Sequence, residues 1–176
     1  MKQLMERIPF DQITTAEIID ACGISRKTFY YHFKDKYELV NWIFSEEIID
    51  EIVNETTFEN LTNCYMKFCN YILDNKKFCI NAISADGQNC LIQFLYDYVK
   101  RQINILCHEA INKGILTTDD VEFLIEYYYS AFIGVLKAWI KNDLKDDPKI
   151  IINRWMSVVD QNLEHYIKTH GKHFVR

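Results

Sequence analysis

Residues 14–36, TTAEIIDACGISRKTFYYHFKDK, constrain this chain more than any other stretch. Thr14 or Thr15 is placed to cap a short helix, because a hydroxyl ahead of an apolar-periodic run accepts from backbone N–H groups that lack a helical partner. The apolar face of that helix is Ile18, Ile19 and Cys22. Gly23 follows where a helix ends in the left-handed conformation that glycine enters without steric cost. Ile24 is expected to pack inward, and Ser25 to cap a second helix from Arg26 to Phe33. Two short helices about a glycine-containing turn form a helix-turn-helix, whose second helix lies in the major groove of DNA. Here that second helix carries Arg26, Lys27, Thr28, Tyr30, Tyr31 and His32, all able to donate to phosphates or base edges.

The formal net charge of −5 argues at first against a nucleic-acid partner, so its distribution decides. Residues 1–45 hold six basic side chains (Lys2, Arg7, Arg26, Lys27, Lys34, Lys36) and six acidic ones (Glu6, Asp11, Glu17, Asp20, Asp35, Glu38). The whole excess of negative charge therefore lies in residues 46–176. Between Ser25 and Lys36 four positive residues meet a single Asp35. A basic spot on a neutral module, joined to an acidic body, suits a DNA reader whose body stays off the phosphates.

Only five Gly and two Pro interrupt 176 residues, so the turns are few and the helices long. Met1, Leu4, Met5 and Ile8 share one face of a first helix that Pro9 and Phe10 close. A long helix is expected from Lys36 to about Asn54, and another after Thr57 through Leu61, Tyr65, Phe68 and Ile72. Asp74 to Lys77 breaks the pattern before a short helix, Phe78 to Ser84, which Asp86 and Gly87 end. Gln88 to Lys113 forms an amphipathic helix stopped by Gly114, and Thr117 or Thr118 caps the next. Asp147 and Pro148 start the last helix, with its stripe of Ile152, Trp155, Val159, Leu163 and Tyr166. No strand alternation or repeat occurs, and the chain reads as all-α.

The run Gly23-Ile24-Ser25-Arg26-Lys27-Thr28-Phe29-Tyr30-Tyr31-His32-Phe33, continued by Lys36 and Leu39, resembles the tetracycline-repressor (TetR) family of one-component transcriptional regulators. It complies with the family pattern at every fixed position, over about a quarter of the chain. Upstream, Ile19 stands where that family commonly has a small Ala, implying slightly wider packing between the two helices. The resemblance implies an N-terminal three-helix DNA-binding domain, residues 1–45, followed by a helical effector-binding and dimerisation domain, residues 46–176. The family's first helix is about twice as long, so the sequence is expected to begin inside that helix, with native residues upstream or turns missing. DNA contacts are expected from Thr15, Ser25, Arg26, Lys27, Thr28, Tyr30, Tyr31, His32 and Lys36. Among them Arg26, Lys27 and Thr28 match base readers, while Tyr30, His32 and Lys36 match phosphate clamps. The resemblance implies a palindromic double-stranded operator as the partner, bound by a homodimer.

Gly134 sits within an apolar helix at a cost of about 1 kcal/mol against Ala, which close approach of another helix would justify. The family pairs its last two helices across a two-fold axis, so Gly134, Ile152, Trp155, Val159 and Leu163 are the expected dimer interface. It also places an effector pocket in the body, for which Tyr65, Phe68, Phe94, Tyr98, Tyr128 and Trp139 are the candidates. An aromatic stripe at helical spacing reads equally as plain core. A weaker resemblance, over Phe132-Ile133-Gly134 to Trp139-Ile140 and Asp147-Pro148, is to regulators of dihydroxyacetone-kinase operons. Some of that branch are activators controlled by a partner protein in place of a small molecule.

Other chemistries find little support. Cysteines 22, 64, 69, 79, 90 and 107 make no CxxC pair or zinc-finger spacing. His165, His170 and His173 lack the i, i+4 spacing of a helical metal pair, so no metal and no cofactor are expected. No phosphate loop, nucleophile elbow or paired His/Cys/Asp arrangement occurs, so the chain is not expected to be an enzyme. With no signal peptide or membrane-length apolar run, a reduced, cytoplasmic location is expected. An interaction module that docks another protein, with DNA binding secondary, is the remaining alternative.

Overall fold

The computed structural model describes residues 1–85, 87 and 90–173. Its elements are α1 (Lys2–Met5), a 3-10 turn (Phe10–Gln12), α2 (Thr15–Cys22), α3 (Arg26–His32), α4 (Lys36–Phe44), a π-helical turn (Ser45–Ile49), α5 (Asp50–Asn54), α6 (Leu61–Asp74), α7 (Lys76–Ser84), α8 (Leu91–Asn112), α9 (Thr118–Lys141) and α10 (Pro148–His173). No strand occurs among the described residues. Asp86 and Gln88, the expected end of one helix and start of another, lie outside the described residues.

The N-terminal unit is small and tightly punctuated. Thr14 caps α2 through a capping box: its hydroxyl accepts from the Glu17 N–H at 3.2 Å, and the Glu17 carboxylate accepts from the Thr14 N–H at 2.7 Å. Those bonds hold the Glu17 carboxyl below its ordinary range, the backbone bond contributing most. Gly23 ends α2 at φ 64°, ψ 28°. A Cβ there would meet no atom within 4 Å, so backbone conformation, not space, calls for glycine. Ile18, Ile19 and Phe29 fill the core between α2 and α3. Ile24 departs from expectation at 38% exposure, and Cys22 is exposed too. The Gly23 turn carries the chain over the edge of this small core, leaving no depth to cover either side chain.

From Lys36 to Asn54 the helix is continuous, as expected, but its ladder widens through one π turn at Ser45–Ile49. The expected domain boundary after residue 45 falls inside this rod. Ser45 donates to the Asp50 carboxylate at 2.9 Å, which also receives Arg101 of α8 at 3.2 Å. Phe44, fully buried, ends the α-helical part; it stacks on Phe78 of α7 at 5.2 Å and meets Tyr71 of α6 edge-on at 5.5 Å. The rod thus carries the N-terminal unit while packing into the body.

The body is a helical bundle in which α8 lies along α9 and α10 along α6. Thr117 caps α9 in a second capping box with Asp120, and Asp147 receives the Lys149 N–H at 2.8 Å ahead of α10. Buried Ile152, Met156, Val159 and Leu163 form the inner stripe of α10. No described helix is long and apolar enough to cross a membrane.

Candidate nucleic-acid interface

Helix α3 is built to present side chains. Ser25 caps it, accepting from the Thr28 N–H at 3.0 Å and sharing a hydroxyl–hydroxyl bond with Thr28 at 2.8 Å. With about 100° of rotation per residue, the face opposite buried Phe29 belongs to Lys27 and Tyr31, flanked by Thr28 and Tyr30. Tyr31 is 83% exposed and Tyr30 51%. Arg26, Lys27, Thr28 and His32 are exposed as well. Eight of the nine expected DNA-contact residues therefore lie on this helix, its cap or the first turn of α2, where Thr15 is half-buried. A capped helix end with hydroxyl, cationic and aromatic side chains turned outward can meet both phosphates and base edges.

Lys36 stands apart from these eight. Its ammonium donates to the carbonyl oxygens of Phe10 (2.8 Å), Asp11 (3.2 Å) and Ile13 (2.9 Å). It also sits 4.5 Å from the centre of the Phe10 ring. An ammonium has three N–H donors, and three carbonyls occupy them. The loop 10–13 presents these oxygens because its one 3-10 turn satisfies few of its own acceptors. Through these bonds Lys36 fastens the first segment to α4.

The expected dimer residues divide. Ile152, Val159 and Leu163 are 2%, 3% and 1% exposed in the single chain, so a second copy has nothing further to bury there. They are core, because the apolar stripe of α10 is used to pack against α6 within the protomer. Trp155 is half-buried against Tyr65 (5.8 Å) and Phe132 (6.3 Å). Gly134 does lie on the outer face of α9, with open space where a Cβ would stand. It shares that face with residues outside the expected set: exposed Phe123 and Tyr127, whose rings stack at 6.3 Å, then Ser130, Ala138 and Lys141. Their i, i+3 and i+4 spacing is the signal that would have found them.

The expected pocket residues also separate. Tyr65, Phe68 and Trp139 line one cavity of about 30 Å³ with Phe132, Leu136 and Trp155. Tyr98 is fully buried behind it, stacked on Phe68 at 6.1 Å. Tyr128 is buried in the core without reaching that wall. Phe94 stands elsewhere, in a surface cleft between α4 and the start of α8 beside Lys34, Glu38 and Asn41. A volume of about 30 Å³ leaves room for little more than water, so the large aromatic side chains nearly close this cavity. The Trp155 indole N–H, buried at this cavity, has no hydrogen-bond partner among the described residues.

No group of His, Cys, Asp and Glu among the described residues has the geometry to hold a metal ion, and the side chains of His170 and His173 lie outside that description. The buried thiols are held in their neutral form: burial pushes Cys69 and Cys79 up to about 12 and Cys107 to about 11.

Comparison with known proteins agrees with this geometry. Residues 2–43 match the family described as bacterial regulatory proteins, tetR family, and residues 59–173 match the transcriptional regulator C-terminal region. The chain is 29% identical over 161 residues to the HTH-type dhaKLM operon transcriptional activator DhaS of Lactococcus lactis subsp. lactis (strain IL1403), covering 80% of this chain and 86% of that protein. It is 24% identical over 125 residues to the transposon Tn10 TetC protein of Escherichia coli, covering 65% of this chain and 64% of the relative. A solved structure of the dihydroxyacetone kinase operon activator DhaS shares the fold at a TM-score of 0.59 and 20% identity, with 89% of each chain covered. The two matched segments, on a capped helix-turn-helix and an all-helical body, show that this chain belongs to the tetR family of transcriptional regulators.

Proposed function

We propose that the protein is a cytoplasmic homodimer that reads a palindromic operator through α3 of each subunit, under the control of an effector that acts on its body. The observation that carries this reading is the outward face of α3, where Lys27, Thr28, Tyr30 and Tyr31 stand opposite a buried Phe29 on a capped helix. Arg26, Lys27 and Thr28 are the base readers; Tyr30, Tyr31 and His32 contact phosphates, as do Thr15 and Ser25 at the helix N-termini.

Charge on α9 supports two-fold pairing. Its exposed face runs from Glu122, Phe123, Glu126 and Tyr127 through small Ser130 and Gly134 to Lys137 and Lys141. A two-fold axis between Ser130 and Gly134 sets two α9 helices antiparallel. Phe123 and Tyr127 of one subunit then face Lys141 and Lys137 of the partner subunit, joining acidic and aromatic ends to basic ones. Two recognition helices on one rigid dimer read half-sites about one helical turn or more apart.

The aromatic-lined cavity of about 30 Å³ is too small for a metabolite, whereas an open surface cleft of about 730 Å³ lined by Phe58, Leu106, Glu109, Lys113 and Ile167 has room for a small ligand or for a segment of a partner protein. By its similarity to an operon activator, the chain is read as activating transcription. The test is binding by an Arg26→Ala, Lys27→Ala double variant, which removes two of the base readers and retains the buried Phe29. It should stay folded and dimeric yet lose discrimination between operator and random DNA. Retained discrimination would refute the assignment of α3 as the reader.

A further inference from the structure

Helix α1 is a single turn, too short to satisfy its own backbone, and its closing residue makes matters worse. In a continuing helix the Met5 carbonyl would accept from the N–H four residues on. That residue is Pro9, which has no N–H. The missing donor comes from the body. Asn81, in the middle of α7, donates through Nδ2 to the carbonyls of Met5 and Ile8, each at 3.0 Å. Its Oδ1 accepts from the Phe10 N–H at 2.7 Å. One half-buried planar amide thus makes three hydrogen bonds, all to backbone of the DNA-reading unit and all more than seventy residues away in sequence.

The segment it grips is the one Lys36 grips from the other side. Phe10 is held at its N–H by Asn81 and at its carbonyl by Lys36. Helix α7 meanwhile stacks Phe78 on Phe44, where α4 gives way to the π turn. A shift of α7 therefore acts on both supports of the unit, through an amide at α1 and through an aromatic stack at α4. A further polar tie joins α1 to the rod directly, from half-buried Lys2 to Glu47 at 2.6 Å, with the Lys2 ammonium 5.5 Å from the centre of the Phe78 ring of α7.

We propose that Asn81 is the positioning residue through which the body sets the pitch of the DNA-reading unit, so that whatever moves α7 changes the separation of the two recognition helices. This rests on the DNA-binding reading above. Because Asn81 touches backbone and stands away from α3, it governs spacing and leaves base preference alone.

The experiment uses the full chain and the palindrome it selects from random DNA, together with the same palindrome carrying one base pair more or fewer between half-sites. The unmodified protein is expected to discriminate against the altered spacings by about tenfold or more. Asn81→Ala removes the grip, and Asn81→Asp sets a carboxylate against two carbonyl oxygens. Both variants should keep their preference for matched over mismatched half-sites, while discrimination between spacings falls below about threefold, with Asn81→Asp the more affected. Folded variants that read spacing as the unmodified protein does would overturn the inference and leave the DNA-binding reading intact. An unmodified protein that selects no sequence would sink both. Should the variants fail to fold, hydrogen exchange at the Phe10 amide of the unmodified protein decides. Linkage requires its rate to change by about tenfold when the selected palindrome binds, and an unchanged rate refutes the coupling.

Discussion

Replacing Lys36 separates two accounts of the same residue. As a phosphate clamp it would contribute to DNA affinity and little to folding; as a fastener it does the reverse. The structure gives its ammonium three carbonyl partners at 2.8, 3.2 and 2.9 Å and places it over the Phe10 ring. Hydrogen bonds to a charged donor contribute about 1.5–3 kcal/mol each when buried. One of the three lies in the open and the others are half-buried, so much of that is recovered by water. A total near 2–3 kcal/mol, the contact with the ring included, is the working magnitude for Lys36→Ala. For a chain of this length that is a fall in melting temperature of about 4–12 °C. Circular dichroism melts of Lys36→Ala and Lys36→Met measure it, the methionine keeping the apolar stem over Phe10 and recovering part of the loss. DNA affinity of the folded variant should change little, and its dependence on log salt not at all. An unchanged melting temperature, with a salt slope reduced by about 1, would restore the phosphate contact and refute the reasoning.

Three further outcomes follow from the same geometry. Arg26→Ala should relax preference at one base position by roughly tenfold to hundredfold, read from binding to operators mutated one position at a time, and leave other positions untouched. Gly134→Leu should leave the protomer as stable or more so, since its Cβ meets nothing within 4 Å and glycine is the poorer helix former by about 1 kcal/mol; sedimentation should nevertheless show the dimer lost. The Glu17 carboxyl, lowered from about 4.5 by the Thr14 N–H and then by the Thr14 hydroxyl, stabilises the start of α2 above the unfolded pKa. That contribution is lost as pH falls through the lower folded value, so a carboxyl titration followed by NMR should place the Glu17 midpoint below that of an unstructured glutamate.

The recognition segment was legible because its signals are local. Thr14, Gly23 and Ser25 act within four residues of themselves, and each does in the structure what its chemistry dictates. The starts of α9 and α10 at Thr117 and Asp147 were legible for the same reason. Long-range choices were not. Periodicity marked the stripe of Ile152, Val159 and Leu163 as apolar without saying whether its own chain or a second copy covers it; the protomer does. Lys36 was recognised by position in a motif, yet its role depends on three carbonyls that stand more than twenty residues away. Asn81 carried no signal in its own neighbourhood. The clue lay at Pro9, which deprives Met5 of a donor and so requires one from elsewhere.

The central claim is that α3 reads sequence on a two-fold dimer, and selection of bound DNA from a random pool at moderate salt tests it most directly. Enrichment of a palindrome, with half-sites about one helical turn or more apart and resistant to added salt, is the result the account predicts. Binding without enrichment, vanishing as salt rises, would leave only a non-specific attraction between the basic spot around Arg26 and Lys27 and the phosphates, and would contradict it.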